Sequence, residues 1–213
     1  MRIDIWSDVV CPWCYLGKRR FDSAVAELGG LEGGEVRWRA FQLDPSATAE
    51  PGDLRRSIEA KYGPGAFDKM VTRLVGLGHQ EGIEYQFDIA KRVNTFDAHR
   101  LVAWAWDEGG AVAQATLVER LFRAYFEEGA NVADRSALAG FAGEAGLDPA
   151  LAAEVLAADG YAAEVRDELA GAVERGITGV PAFVVNDQFV IPGAQDTDTF
   201  VNLLGRVVAR DAG

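Results

Sequence analysis

Cys11-Pro12-Trp13-Cys14 holds both cysteines of the chain, two residues apart. Four chemistries compete for such a pair. A structural disulfide across so short a loop would stabilise little by chain entropy. A metal site needs two more soft ligands. The candidates are His79 and His99, twenty residues apart rather than the three to five of a finger. Two inert thiols are the plain alternative. Thiol–disulfide exchange is the reading that gives both cysteines a task. It needs a thiolate near neutral pH, whereas a free cysteine titrates near 8.5. The first turn of a helix offers unpaired N–H groups and the positive end of the helix dipole, which favour the thiolate. Cys11 is expected at that end. Cys14 falls one turn further in on the same face, placed to resolve a mixed disulfide.

The elements around the pair support that placement. Arg2 to Trp6 alternates polar and apolar residues and reads as a strand. Asp8 or the residues just after it open a helix. Tyr15, Leu16, Phe21, Val25 and Leu28 recur along it, and Gly29-Gly30 ends it. Glu32-Gly33-Gly34-Glu35 is a turn, and Glu35 to Leu43 is a second strand. A crossover of about twenty residues makes the two strands parallel. A CxxC after the first strand of such a unit points to redox chemistry.

From Pro51 to about Arg175 the strand signal fades. Val118, Leu121, Phe122, Tyr125 and Phe126 form an apolar helical stripe, as do Val165, Leu169 and Val173 before Gly176. Asp148-Pro149 reads as an N-cap with proline at the first helical position. Ile83 to Phe87 is the one stretch expected to be extended. Ala182 to Asn186 and Gln188 to Pro192 then form a hairpin around Asn186-Asp187, and Asp196 and Thr197 cap a last helix. The strand-rich ends must share one sheet, because two parallel strands cannot bury both faces. The expectation is an α/β fold: a βαβ…ββα sheet domain from residues 1–45 and 176–213, with an all-helical insertion over 46–175.

"DVVCPWCYLGKRRF" and "GITGVPAFVVNDQFVIPGAQ", with "NTFDAHRL" between them, resemble the DsbA-like branch of the thioredoxin superfamily, and within it the FrnE-type dithiol oxidoreductases linked by name to polyketide biosynthesis. The resemblance implies a thioredoxin-like sheet with a helical insertion. It implies that Cys11 is the nucleophile, that Cys14 resolves, and that Pro181 is cis beside them. On sequence alone Pro181 would be an ordinary trans proline at the start of a strand. With no N–H, Pro181 leaves no competing donor beside the thiolate, and the Val180 backbone is free to pair with an extended substrate. The resemblance also places Asn94 and His99 near the groove as substrate contacts, with Asn94 and Asp97 capping the helix that carries His99. The plainer reading of His99 is a satisfied histidine at a polar helix start.

Pro12 and Trp13, between the cysteines, are the remaining expected substrate contacts. Trp13 brings no positive charge. Asp4 and Asp8 oppose a thiolate, and Lys18, Arg19 and Arg20 lie too far along the helix to help much. The expectation is a weaker oxidant than DsbA itself. No metal and no organic cofactor is required, and glutathione is a possible co-substrate. The alternative is a glutathione-dependent enzyme of the kappa-transferase and hydroxychromene-carboxylate isomerase type. Those proteins resemble this one in the "NTF…AHR" stretch but typically carry serine at the position of Cys11 and lack the second cysteine. A third class, a binding module with inert thiols, is separated by alkylation rate.

A net charge of −12 over 213 residues argues against nucleic acid and anionic membranes as partners. No apolar run is long enough to span a membrane. The N-terminus lacks the apolar core of a secretory signal, so a chain that begins at its own Met1 is expected in the cytoplasm. The expected partner is a disulfide-containing protein or a small-molecule thiol.

Overall fold

The computed structural model describes residues 1–31 and 33–211. Glu32 of the expected turn, and Ala212 and Gly213 of the last segment, lie outside the described residues. Strand β1 (Arg2–Ser7), helix α1 (Pro12–Glu27) and strand β2 (Glu35–Ala40) form a parallel βαβ unit. Strands β3 (Ala182–Val185) and β4 (Phe189–Pro192) return antiparallel to it, giving the sheet order β2-β1-β3-β4. Between β2 and β3 run helices α2 (Leu54–Tyr62), α3 (Ala66–Gln80), α4 (Phe96–Phe126), α5 (Arg135–Glu144), α6 (Pro149–Ala157) and α7 (Ala162–Glu174), and α8 (Thr197–Asp211) closes the chain. This is the expected α/β architecture with a large helical insertion.

Local chemistry explains most of these elements. Ile3 and Ile5 on one face of β1 and Trp6 on the other are all buried, because β1 is an inner strand covered on both sides. Phe21 of α1, Phe183 of β3 and Phe200 of α8 pack together under the sheet, with ring centroids 4.8–5.8 Å apart. Asp148 accepts from Ala150 and Leu151 at the start of α6, with Pro149 behind it. Asp196 caps α8 through the Thr199 N–H. Asn186 and Asp187 both take positive φ at the β3–β4 turn, as an Asn-Asp pair tolerates. Among the described residues no helix is long and apolar enough to cross a membrane.

Four expectations need correction. Helix α1 opens at Pro12 rather than near Asp8, with Cys11 as its N-cap residue. Strand β2 ends at Ala40 rather than Leu43, because β1 turns away after Ser7 and the Leu43 N–H goes instead to the Asp8 carboxylate at 2.7 Å. Ile83 to Phe87 joins no sheet. Its Gln86 N–H bonds the Phe126 carbonyl at 2.7 Å, and Ile83, Tyr85 and Phe87 are buried among helices. Val173 is 77% exposed, and Ala172 fills the buried side of α7 in its place.

Helix α4 carries one irregularity that matters for packing. Gly110 has φ 65°, and the helix kinks there. Just past the kink, the buried side chain of Gln114 accepts from the Trp38 N–H at 2.7 Å and donates to the Trp38 and Val102 carbonyls, tying the helix to β2. The two halves of α4 thereby pack across β2 and bring His99 and Tyr125 towards the loop that precedes α1.

Candidate active site

The site grows from the end of β1. The chain turns at Val9 and Val10, and the Cys11 N–H closes onto the Asp8 carbonyl at 2.9 Å. Cys11 takes extended φ/ψ (−91°, 111°), and its carbonyl receives the Cys14 and Tyr15 N–H groups. Pro12 at the first helical position loses no hydrogen bond, since its N–H would have been an orphan. Cys11 therefore sits at the helix mouth with its sulfur at the positive end of α1.

Both cysteines are free thiols. Cys11 shows only a thin edge, 3% exposed, and that edge lines a groove of about 790 Å3. Cys14 is fully covered. Burial pushes the Cys14 thiol well up from its ordinary range, and a hydrogen bond and charge interaction with Cys11 add to the effect. The Ser7 hydroxyl and the Asp8 backbone N–H pull the other way. Cys14 is held as a thiol, covered and next to Cys11.

The opposite wall of the groove is the loop Thr178-Gly179-Val180, and the Val180–Pro181 peptide bond is cis. The Cys11 thiol donates to the Val180 carbonyl at 3.6 Å. Behind this loop, Gly17 of α1 leaves room for the proline. A Cβ at Gly17 would stand 2.9 Å from Pro181 Cγ. The remaining walls come mainly from the helical insertion, with apolar Leu54 and Ile58 of α2, Met70 of α3 and Phe126 of α4 beside polar Ser57, Lys61 and Arg92. Behind these walls Tyr85, from the segment after α3, donates from its hydroxyl to the Pro12 carbonyl at 2.5 Å.

The charges nearby are engaged with one another. Asp4 is paired with Arg2 at 2.9 Å and Arg39 at 2.6 Å. Lys18, Arg19 and Arg20 pair with Asp22, Glu119 and Glu81. None of these cations is left to face Cys11, as the sequence reading expected. The sequence did not reveal Arg73 of α3, whose guanidinium lies 5.0 Å from the Trp13 ring centroid and brings a positive charge over the CPWC turn.

The protein-family comparison matches a DSBA-like thioredoxin domain over residues 2–205. The chain belongs to the DSBA-like thioredoxin family. It is 30% identical to the uncharacterized protein YwbO of Bacillus subtilis (strain 168) over 202 residues, 94% of each chain. Among solved structures it resembles the probable DsbA oxidoreductase SCO1869 of Streptomyces coelicolor, at 34% identity and a TM-score of 0.89 over 98% of this chain and 90% of that one. A 2-hydroxychromene-2-carboxylate isomerase shares the fold, at 20% identity and a TM-score of 0.74 over 100% of this chain and 98% of that one. Members of the DSBA-like family are in general disulfide oxidoreductases and isomerases.

Within this DSBA-like fold, Cys11, Pro12, Trp13 and Val180 line one groove, with Cys14 and Pro181 directly behind it. Asn94 and His99 do not line it, contrary to expectation. The Asn94 carboxamide donates to the Ala47 carbonyl at 2.9 Å and accepts from the Phe96 N–H at 2.8 Å, so it ties a loop to the start of α4. His99 is 4% exposed and faces Asp8 rather than solvent. Sequence reasoning missed Tyr85, Ser7 and Gly17. The alternation of Ile83, Tyr85 and Phe87 carried a signal for Tyr85. Nothing in the sequence pattern marked the other two.

Proposed function

We propose that this chain is a thiol–disulfide oxidoreductase of the dithiol–disulfide isomerase type, acting through Cys11 and Cys14. The observation that supports it best is the asymmetry of the pair: Cys11 at a helix mouth with an edge in the groove, Cys14 covered and held protonated. The Cys11 thiolate attacks one sulfur of a substrate disulfide. The substrate S–S bond breaks, a mixed disulfide forms, and the other substrate sulfur leaves as a thiolate. Cys14 then attacks Cys11, its proton passing to a departing thiolate, and releases the second substrate thiol. The protein is left as the Cys11–Cys14 disulfide, two electrons poorer. The reverse sequence oxidises a dithiol.

Pro181 and the Val180 backbone flank the attacked bond in this reading, and Pro12 and Trp13 form the floor on which substrate rests. The substrate is a disulfide-containing protein or a small-molecule thiol, with glutathione as a candidate co-substrate and no metal or organic cofactor. The cytoplasm is the proposed compartment. The FrnE-type placement, and with it any link to polyketide chemistry, rests on the sequence motifs alone.

The second reading is the glutathione-dependent isomerase or transferase, favoured by the fold shared with 2-hydroxychromene-2-carboxylate isomerase. Two variants separate the readings in glutathione-coupled disulfide reduction. Cys11→Ser removes all turnover in the oxidoreductase, whereas the alternative, whose members typically carry serine at that position, tolerates it. Cys14→Ser, in the oxidoreductase, stalls turnover and accumulates a glutathione adduct on Cys11 visible by mass spectrometry. Full activity of Cys14→Ser without an adduct overturns the dithiol mechanism and supports the alternative.

A further inference from the structure

Tyr85 stands apart from the residues that line the groove, yet it is built into the redox turn. Its ring is set by packing. Gly78, in the last turn of α3, lies so close that a Cβ there would stand 2.6 Å from Tyr85 Cδ2 and Cε2. Phe87 stacks on the ring at 5.1 Å, while Phe126 and Tyr15 meet it edge-on at 5.2 and 6.0 Å. The residue is 6% exposed, and its hydroxyl ends on the Pro12 carbonyl, inside the CPWC sequence. The hydroxyl thus contacts the first turn of α1.

We propose that Tyr85 is a positioning residue of the redox centre, stabilising the dithiol form of Cys11 and Cys14 over the disulfide by holding the Pro12 carbonyl. The inference rests on the oxidoreductase reading. The electrostatic reason is simple. A carbonyl without a full partner presents its negative end to whatever lies beside it, and the reduced centre must carry negative charge on Cys11. Tyr85 covers that oxygen with the positive end of its O–H bond. The disulfide is uncharged and gains little from the same contact. Burial, and after it the charge of Cys11, drive the phenol far above its ordinary range, so Tyr85 remains a proton donor at any pH where the thiols work.

The test is the equilibrium with glutathione, in which glutathione disulfide takes two electrons from the protein dithiol and leaves as two glutathione molecules while the Cys11–Cys14 bond forms. Tyr85→Phe keeps the ring and removes the hydroxyl. The full-length variant is equilibrated in a glutathione series, quenched with acid, alkylated and weighed. The expected result is an equilibrium shifted towards the protein disulfide by about threefold to tenfold, the range of one net hydrogen bond. Gly78→Ala keeps the hydroxyl and displaces the ring, and it must shift the equilibrium the same way. A purely structural role would lower the thermal midpoint and leave the equilibrium in place. Wild-type equilibrium constants in the folded variants, or a shift towards the dithiol, overturn the proposal. Failure of the oxidoreductase reading looks different: the wild-type protein itself would form no glutathione-dependent disulfide.

Discussion

Nε2 of His99 stands 3.4 Å from Oδ1 of Asp8, and among the described residues neither atom has a hydrogen-bond partner. His99 comes from the first turn of α4 and Asp8 from the loop that leads into Cys11, so the pair spans the helical insertion and the sheet. Both side chains are buried, 4% and 1% exposed. Asp8 is fixed from its other oxygen by the Leu43 N–H, and its charge is felt by Tyr125 across the gap. The pair is a buried contact that braces α4 against the loop leading into Cys11.

The first prediction follows from that brace. His99→Leu leaves a buried carboxylate facing an apolar side chain, at a cost of about 1–3 kcal/mol. Urea unfolding should show that loss, while Cys11 alkylation in the folded protein continues. A variant as stable as wild type but with a raised KM for its disulfide substrate would return His99 to the list of substrate contacts.

The second concerns the order of the thiols. Iodoacetamide should modify Cys11 in the folded, reduced protein and leave Cys14 untouched, because Cys11 lines the groove and Cys14 is covered. Peptide mapping after partial alkylation reads this directly. Early labelling of Cys14 would reverse the assigned roles.

A third links Cys14 to stability. Burial, its largest cause, raises the folded-state pKa of this thiol above its unfolded value. Below the ordinary thiol range, about 8.5–9, both states hold the proton and stability is unaffected. Above it the unfolded chain loses the proton while the folded one keeps it, so stability falls by about 1.4 kcal/mol per pH unit until the folded-state pKa is passed. Urea midpoints of the reduced protein should therefore drop between pH 9 and 10 relative to Cys14→Ala. Parallel pH profiles for the two proteins would contradict the buried, protonated Cys14.

Much of this architecture was legible in the sequence because it rests on local rules. Alternation gave β1, an Asx cap with proline gave the start of α6, and Asn186-Asp187 gave the hairpin. The failures share a cause. His99 and Asn94 were assigned by their place in a motif, but their partners Asp8 and Ala47 lie far away in sequence and were decided by tertiary packing. Ile83 to Phe87 had strand chemistry, and its alternate residues Ile83, Tyr85 and Phe87 pack into the core rather than into the sheet. Tyr85 and Arg73 act on the CPWC turn from a separate part of the chain, a relation that spacing cannot encode.

A fourth prediction concerns Trp13, which is half-buried, lines the groove and stacks with Arg73. Its fluorescence should change when Cys11 and Cys14 are oxidised, because a disulfide would form in the same turn. Trp13→Phe should remove most of the redox-dependent change. Trp6, Trp38 and Trp104, buried elsewhere, and the half-buried Trp106 serve as the constant background. A change that persists in full in the variant would show that Trp13 does not report on the cysteine pair.

The last prediction concerns the contact between α1 and the loop before β3. Gly17 is the residue of α1 on which Pro181 rests, with the nearest proline carbon 2.9 Å from where a Cβ would stand. Ala194 closes the same space at 3.4 Å. Gly17→Ala gains helix propensity, worth about 1 kcal/mol in a helix interior. It also forces a methyl group into a site that has no room for it, and such overpacking costs about 1–3 kcal/mol. The ring of Pro181 cannot swing aside like a flexible side chain, so the loop has to move as a unit. Val180 moves with it, and its carbonyl is the group facing the Cys11 sulfur. The expected outcome is a protein that folds with a lowered thermal midpoint. It should lose disulfide-reductase turnover roughly tenfold, a factor that misplacement of a reacting geometry readily produces. Alkylation of Cys11 should persist, since α1 and its N-terminus are unchanged. Stability and turnover both at wild-type level would show that the loop yields freely, and that the spacing between Val180 and Cys11 does not govern the reaction.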